Sequence, residues 1–233
     1  MKKARIISQS DEPFSNRQEA GLFLARELKR FQNANAVVLG IPRGGLVVAC
    51  EIASGLNADL DVVLSRKLGA QSNPEFALGA ISEDGHLFLN EMIAASFGND
   101  DTYIAREKAR QMEVIKQRIL QYRGILPRVL LQNRIVIVTD DGVATGATMQ
   151  AALWAVRQEK PQRLIAALPV GPADTIDKLA HDADEVLCLR VPSFFAAVGQ
   201  YYSDFTQVED DEVLAMLKKE AQRKGWDKKS DKE

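Results

Sequence analysis

The sequence contains no apolar run that approaches the ~18 residues of a membrane-spanning helix, so no membrane partner is expected. It has no surplus of either charge: 30 Lys and Arg stand against 32 Asp and Glu, a net charge of −2. A chain so balanced offers no general basic footprint, so no nucleic-acid partner is expected either. Cysteine and histidine are scarce, with two of each. Cys50 and Cys188 lie far apart in apolar segments, with neither zinc spacing nor a CxxC pair, and read as small buried residues. His86 and His181 sit at no identifiable nucleophile motif, which leaves Ser-His-Asp chemistry unindicated. The opening MKKARIISQSDEPF has two lysines but no apolar stretch after them, so no secretory signal is expected and a reducing cytoplasm fits. No repeat or internal boundary is visible, and 46% hydrophobic residues suffice for a full core. One domain over residues 1–233 is expected, with a frayed tail at 228–233.

What is present centres on Arg134 to Thr148, RIVIVTDDGVATGAT. Ile135 to Thr139 is β-branched throughout and suits a strand buried on both faces of a parallel sheet. Asp140 and Asp141 follow where that strand ends. Small residues then lead into the apolar stretch Met149 to Val156, a helix that starts near Gly146. A helix N-terminus presents unpaired N–H groups and the positive end of the helix dipole, which hold a phosphate. Gly146 and Ala147 allow close approach, and Thr145 and Thr148 add hydroxyls. Two carboxylates repel phosphate, but they accept hydrogen bonds from a sugar diol or bind Mg²⁺. The bland alternative is a solvated acidic loop and a helix cap.

This string resembles the phosphoribosyl-diphosphate (PRPP) motif of type I phosphoribosyltransferases: four apolar residues, two acids, two mostly apolar residues, then small and hydroxyl residues around a glycine. Thr139 intervenes, and Gly142 stands where an aliphatic residue is usual. The resemblance implies PRPP binding by Asp140, Asp141, Ala144, Thr145, Gly146, Ala147 and Thr148, with Mg²⁺ at Asp140 and Asp141 as the cofactor. It also implies an α/β fold with a central parallel sheet flanked by helices and a small antiparallel hood. It extends over nearly all of the chain and points to a bacterial group of uncertain substrate.

Elsewhere the sequence repeats the strand–turn–helix grammar. Ser15-Asn16-Arg17-Gln18 has the form of a capping box before a helix to which no chemistry is assigned. Ala36 to Ile41 reads as a buried strand, followed by Pro42-Arg43-Gly44-Gly45 and a helix from Leu46 to Ala53. Arg43 suits a polyanion and the glycines offer backbone N–H groups; the resemblance makes Arg43, Gly44 and Gly45 the diphosphate loop. Asp61 to Ser65 reads as a strand that ends in Arg66-Lys67. These two cations are either solvated surface or, as the resemblance implies, diphosphate contacts; they are the candidate catalytic residues. Residues 69–90 leave the parallel pattern, with strands Phe76 to Ser82 and His86 to Leu89 around Glu83-Asp84-Gly85. This is the expected hood. His86 reads as surface.

Asp100 to Tyr122 is a charged amphipathic helix whose stripe of Tyr103, Ile104, Met112, Ile115, Ile119 and Tyr122 packs on the core or on a partner subunit. A homodimer is expected. Leu164 to Leu168 and Glu185 to Leu189 read as strands, with Pro169-Val170-Gly171-Pro172 as a candidate wall of the nucleophile's pocket and Ala173 to Ala180 as a helix. Phe194 to Phe205 is unusually aromatic, either packed down by its rings or forming a shelf for a planar base. Glu209 to Leu217 reads as a terminal helix.

The implied reaction displaces diphosphate from PRPP with a base nitrogen or similar nucleophile. Enzymes for 6-oxopurines place an acid where Ala144 stands and a Lys where Ala147 stands, which speaks against hypoxanthine or guanine. Two alternatives stay open: a regulatory protein that binds PRPP without turnover, and an unrelated Mg²⁺-dependent phosphohydrolase.

Overall fold

The structure, a computed structural model, describes residues 4–73, 77–89 and 101–226. In chain order the elements begin with β1 (Arg5–Ser8), α1 (Arg17–Glu27), β2 (Ala36–Gly40), α2 (Gly44–Leu56) and β3 (Asp59–Val62). There follow β4 (Arg66–Gly69), β5 (Ala77–Ile81), β6 (Leu87–Leu89) and α3 (Asp101–Tyr122). The rest comprises β7 (Ile135–Thr139), α4 (Ala147–Gln158), β8 (Arg163–Val170), α5 (Ala173–Asp182), β9 (Glu185–Arg190) and α6 (Asp210–Arg223).

Six strands form one parallel sheet in the order β1-β9-β8-β7-β2-β3. Successive side chains of a strand point to opposite faces. Val38 and Ile137 accordingly join a core shared with α1, α2 and α6, whereas Val37, Leu39, Val136 and Val138 join one shared with α4 and α5. Burial on both sides is why these runs carry no polar alternation. β1 is a peripheral addition: Arg5, Ile6 and Ile7 are exposed, so RIIS lacked the buried-strand signature. Cys188 is buried and Cys50 half-buried; burial pushes both thiols up to about 12, which favours their protonated form.

The hood is a separate antiparallel sheet, β4-β5-β6. Leu68, Leu78 and Ile81 pack on Ile115 of α3 in a small cluster of their own, which Tyr103, Ile104 and Met112 flank. The α3 stripe thus covers the hood. β4 and β5 also lie against α4, the helix of the acidic motif.

Several boundaries differ from the sequence reading. β3 starts at Asp59 and ends at Val62, so Val63 to Ser65 are not strand. Arg66 and Lys67 do not terminate β3; they open β4, opposite Ile81 and Ala80. The hood therefore begins at Arg66, ahead of residue 69. β8 runs to Val170, which takes Pro169 and Val170 out of the predicted loop. The cap of α1 is Asn16, one residue after the predicted Ser15: its Oδ1 accepts from the Glu19 N–H at 2.9 Å, and Glu19 reaches back to the Ser15 N–H at 2.6 Å rather than to the cap residue, so the reciprocal box is not formed. Pro74, Glu75, Phe76, Asn90, Asp100 and the tail at 228–233 lie outside the described residues.

An ion network ties hood to sheet. Asp61 of β3 accepts hydrogen bonds from Arg123 Nη1 at 2.6 Å and from the Val129 N–H at 3.0 Å. The same guanidinium donates from Nε and Nη2 to both oxygens of Glu83 in the β5–β6 turn, at 2.6 and 2.7 Å.

Candidate functional site

From β2 the chain crosses to β3 on one side, and from β7 to β8 and β9 on the other. The turns after β2 and β7 therefore diverge between neighbouring strands, and an open parallel sheet binds ligands at such a switch point. The Ile41 N–H donates to the Thr139 carbonyl at 3.0 Å, which continues the pairing of β2 and β7 to the mouths of the two turns. Pro42–Gly45 and Asp140–Thr148 thereby become one surface.

The first turn is tighter than its sequence suggests. The Pro42–Arg43 peptide is cis, and α2 begins at Gly44 rather than Leu46. A Cβ on Gly44 would lie 2.8 Å from Asp141 Cγ and closer still to its Oδ2; one on Gly45 would lie 2.8 Å from Asp140 Cα. The two glycines are what allow the first turn of α2 to rest on the acidic pair.

The second turn is held by its neighbours. The Val143 N–H donates to the Val170 carbonyl at 3.0 Å, and Thr175 Oγ1 of α5 donates to the Ala144 carbonyl at 2.8 Å. Gly146 has φ +76°, in the left-handed region that glycine favours, and Thr175 occupies the space a side chain would need. Ala144, Thr145 and Thr148 are exposed, and no side chain caps α4 at Gly146. This leaves a helix N-terminus with hydroxyls beside it, the geometry that receives a phosphate. Gly142, the departure from the usual pattern, is explained by packing: a Cβ there would meet Val198 Cγ1 at 2.6 Å and Val170 Cγ1 at 3.0 Å. These two valines occupy the place of the missing aliphatic side chain.

The two carboxylates have different surroundings. Asp141 is paired with Arg17, Nε to Oδ2 at 2.8 Å. Asp140 accepts only from the Asp141 N–H, through Oδ1 at 2.9 Å, and has no ion-pair partner among the described residues. Burial, and then the charge of Asp141, push the Asp140 carboxyl well above the usual carboxylate range. Burial also raises Asp141, against the pull of Arg17. No group of three or more acidic, His or Cys side chains gathers into a metal cage among the described residues. Two adjacent carboxylates, one of them unpaired, instead match a cation that keeps several waters and finds its other ligands on a phosphate, as Mg²⁺ does.

Of the other predicted residues, Arg43 lies on this surface with its side chain 30% exposed, and Nη1 reaches Glu209 and Asp210 at 3.5 and 3.6 Å. Arg66 is not brought into contact with the acids; its Nε donates to Gln111 of α3 at 2.9 Å, and burial lowers its pKa. Lys67 sits on β4 beside it. His86 is exposed near the hood turn.

Sequence reasoning missed Arg17. Its partner is 124 residues away, and it lies in a helix read as scaffold. One signal was available: a cation at the first position of a helix opposes the helix dipole and calls for an external anion. The aromatic segment is largely packed down. Tyr201 and Tyr202 are buried, Phe195 stacks on Tyr201, and Phe205 stacks on Tyr202 at 5.1 Å. Its rings nonetheless reach the site: Tyr202 Oη donates to the Asp141 carbonyl at 2.5 Å.

Among solved structures, TT1426 from Thermus thermophilus is 47% identical, with a TM-score of 0.84 over 89% of this chain and 98% of that one. A Mycobacterium tuberculosis protein named "Putative phosphoribosyl transferase" is 42% identical over 204 residues, which cover 88% of this chain and 46% of the relative. The chain spans about half the length of the curated relatives it matches. The family described as "Phosphoribosyl transferase domain" matches residues 17–206, from the missed arginine through both turns to the end of the aromatic segment. With that extent of agreement, the chain belongs to the phosphoribosyl transferase domain family.

Proposed function

We propose that the protein is a Mg²⁺-dependent phosphoribosyltransferase that transfers the phosphoribosyl group of PRPP to a nitrogenous base or similar nucleophile and releases diphosphate. The observation that carries this reading is the contact between the two turns: Gly44 and Gly45 rest directly on Asp140 and Asp141. A glycine turn with an arginine, an acidic pair and an open helix N-terminus at one switch point match the three parts of PRPP.

In this reading the 5′-phosphate takes the N–H groups and hydroxyls of Thr145 to Thr148. Asp140 and Asp141 accept hydrogen bonds from the ribose hydroxyls, and Arg43 with the N-terminus of α2 holds the diphosphate. Asp140 and Asp141 would hold Mg²⁺, which would supply positive charge to offset the anion of the leaving group. The bond from the anomeric carbon to diphosphate breaks as the bond to the incoming nitrogen forms, and the nitrogen's proton passes to solvent or to a neighbouring base. The protein contributes position and electrostatics. Arg66 and Lys67, which open the first hood strand, remain candidates for contact with the diphosphate.

A diphosphate-release assay with PRPP, Mg²⁺ and a panel of bases tests the proposal. Release that depends on one base supports it and names the acceptor. PRPP binding without release would make the protein a regulatory binder, and no binding would remove the reading.

A further inference from the structure

Arg17 is an unusual residue to find buried. Only 9% of its side chain is exposed, and its guanidinium is held at two nitrogens and over one aromatic ring. Nε donates to Asp141 Oδ2 at 2.8 Å, Nη1 donates to the Thr206 carbonyl at 2.8 Å, and Cζ lies over the Phe205 ring, 3.9 Å from its centre. The Thr206 end is fixed in turn. Residues 201–204 pair with the segment before α1, through Phe14 N–H to the Tyr201 carbonyl, Ser203 N–H to the Phe14 carbonyl and Asp204 N–H to the Ser15 carbonyl. Tyr202 from this strap holds the Asp141 carbonyl. Asp141 is thus gripped at its side chain by the first helix and at its backbone by the strap, while Asp140 Oδ2 is left without a hydrogen-bond partner among the described residues.

We propose that Arg17 is a positioning residue that divides the acidic pair: it fixes Asp141 in one orientation toward the diol and its cation, and leaves Asp140, which has no ion-pair partner among the described residues, free to adjust to them. The inference rests on the PRPP reading of the site. Arg17 touches no part of the substrate in this scheme; it acts through Asp141. A planar fork suits the task, because the guanidinium satisfies a carboxylate, a carbonyl and an aromatic face at once, which an ammonium does not.

The test is a double-mutant cycle of Arg17→Gln and Asp141→Asn, read by calorimetric titration with PRPP and Mg²⁺ and separately with inorganic phosphate. Arg17→Gln should weaken PRPP roughly tenfold to a hundredfold, the worth of one charge-assisted hydrogen bond. Inorganic phosphate, which needs only Thr145 to Thr148, should bind as in the wild type. In the Asp141→Asn background the same change should cost PRPP almost nothing further. Arg17→Lys should recover part of the loss. Tyr202→Phe, which removes one hydroxyl from the same clamp, should reproduce the split between PRPP and phosphate more weakly, and it keeps the inference falsifiable where Arg17 variants do not fold. Additive losses in the cycle, or equal losses of PRPP and phosphate, overturn the inference and make Arg17 a general structural residue. Unchanged PRPP affinity in Arg17→Gln overturns it as well, with the PRPP reading intact. Wild-type protein that binds no PRPP overturns both.

Discussion

Arg123 and Asp61 form an ion pair of 2.6 Å between residues 62 positions apart, with 13% and 2% of their side chains exposed. Burial pushes the Asp61 carboxyl up, and Arg123 counters it. The guanidinium also holds Glu83, so one cation serves the edge of the main sheet and the turn of the hood.

Asp61→Ala leaves that cation half-paired in a buried place, and the expected loss is about 3–5 kcal/mol, measured as a shift in the urea midpoint. Glu83→Gln should cost less and act locally. Amide exchange in β5 and β6 should accelerate while β7 stays protected. Uniform acceleration would show that the network does not fasten the hood in particular.

The acidic pair gives a pH signature. Folding raises the Asp140 carboxyl above its unfolded value, so the folded state binds more protons than the unfolded chain. The stabilising contribution is full below the unfolded value of about 4 and is lost as pH rises through the folded value. Asp140→Asn should therefore raise the ligand-free thermal midpoint at neutral pH and leave it unchanged below the carboxylate range. The double variant with Asp141→Asn should fold, lose Mg²⁺-dependent PRPP binding, and keep or slightly improve its affinity for inorganic phosphate. Unchanged PRPP affinity would remove the site assignment.

Arg43→Ala is expected to weaken PRPP far more than ribose 5-phosphate, because only PRPP carries the second anion. In the ligand-free protein Arg43 is shared with Glu209 and Asp210, both more than half exposed. Neutralising those acids should change PRPP affinity little, as exposed pairs at this distance are weak. Equal loss of both ligands in Arg43→Ala would move it out of the diphosphate role.

Gly142→Ala tests the packing account of the unusual motif position. Its Cβ would press on Val198 and Val170, and overpacking of this kind costs about 1–3 kcal/mol. Val198→Ala should restore most of the loss when combined with Gly142→Ala. Two additive destabilisations in thermal melts would show that Val198 is not what requires the glycine.

The central strands and the hood turn were legible because their signals are local. Val136 to Val138 can be buried on both faces only between two helical layers, and Glu83-Asp84-Gly85 breaks a pair of short apolar runs. β1 was not legible, since its residues are exposed and its pairing with β9 bridges nearly the whole chain. Arg66 and Lys67 were misplaced because an apolar run marks that a strand exists, not whether the sheet ends inside it. The acids were recognised as a pair. That they are unequal depends on Arg17 and Tyr202, which approach from opposite ends of the sequence, and no spacing rule encodes that meeting.

The meeting at Asp141 also sets an order of events during synthesis. A chain emerging from the ribosome has both acids, the glycine turn and every described strand once Arg190 has been made. Tyr202, Phe205 and Thr206 are still to come, so Arg17 has neither its ring nor its carbonyl anchor at that stage. The clamp on Asp141 can therefore be complete only after the strap has been made. Under the proposed function, a nascent chain that stops before residue 202 has its phosphate cradle without a finished ribose site, and tight capture of PRPP marks a chain in which the strap has already joined the first helix.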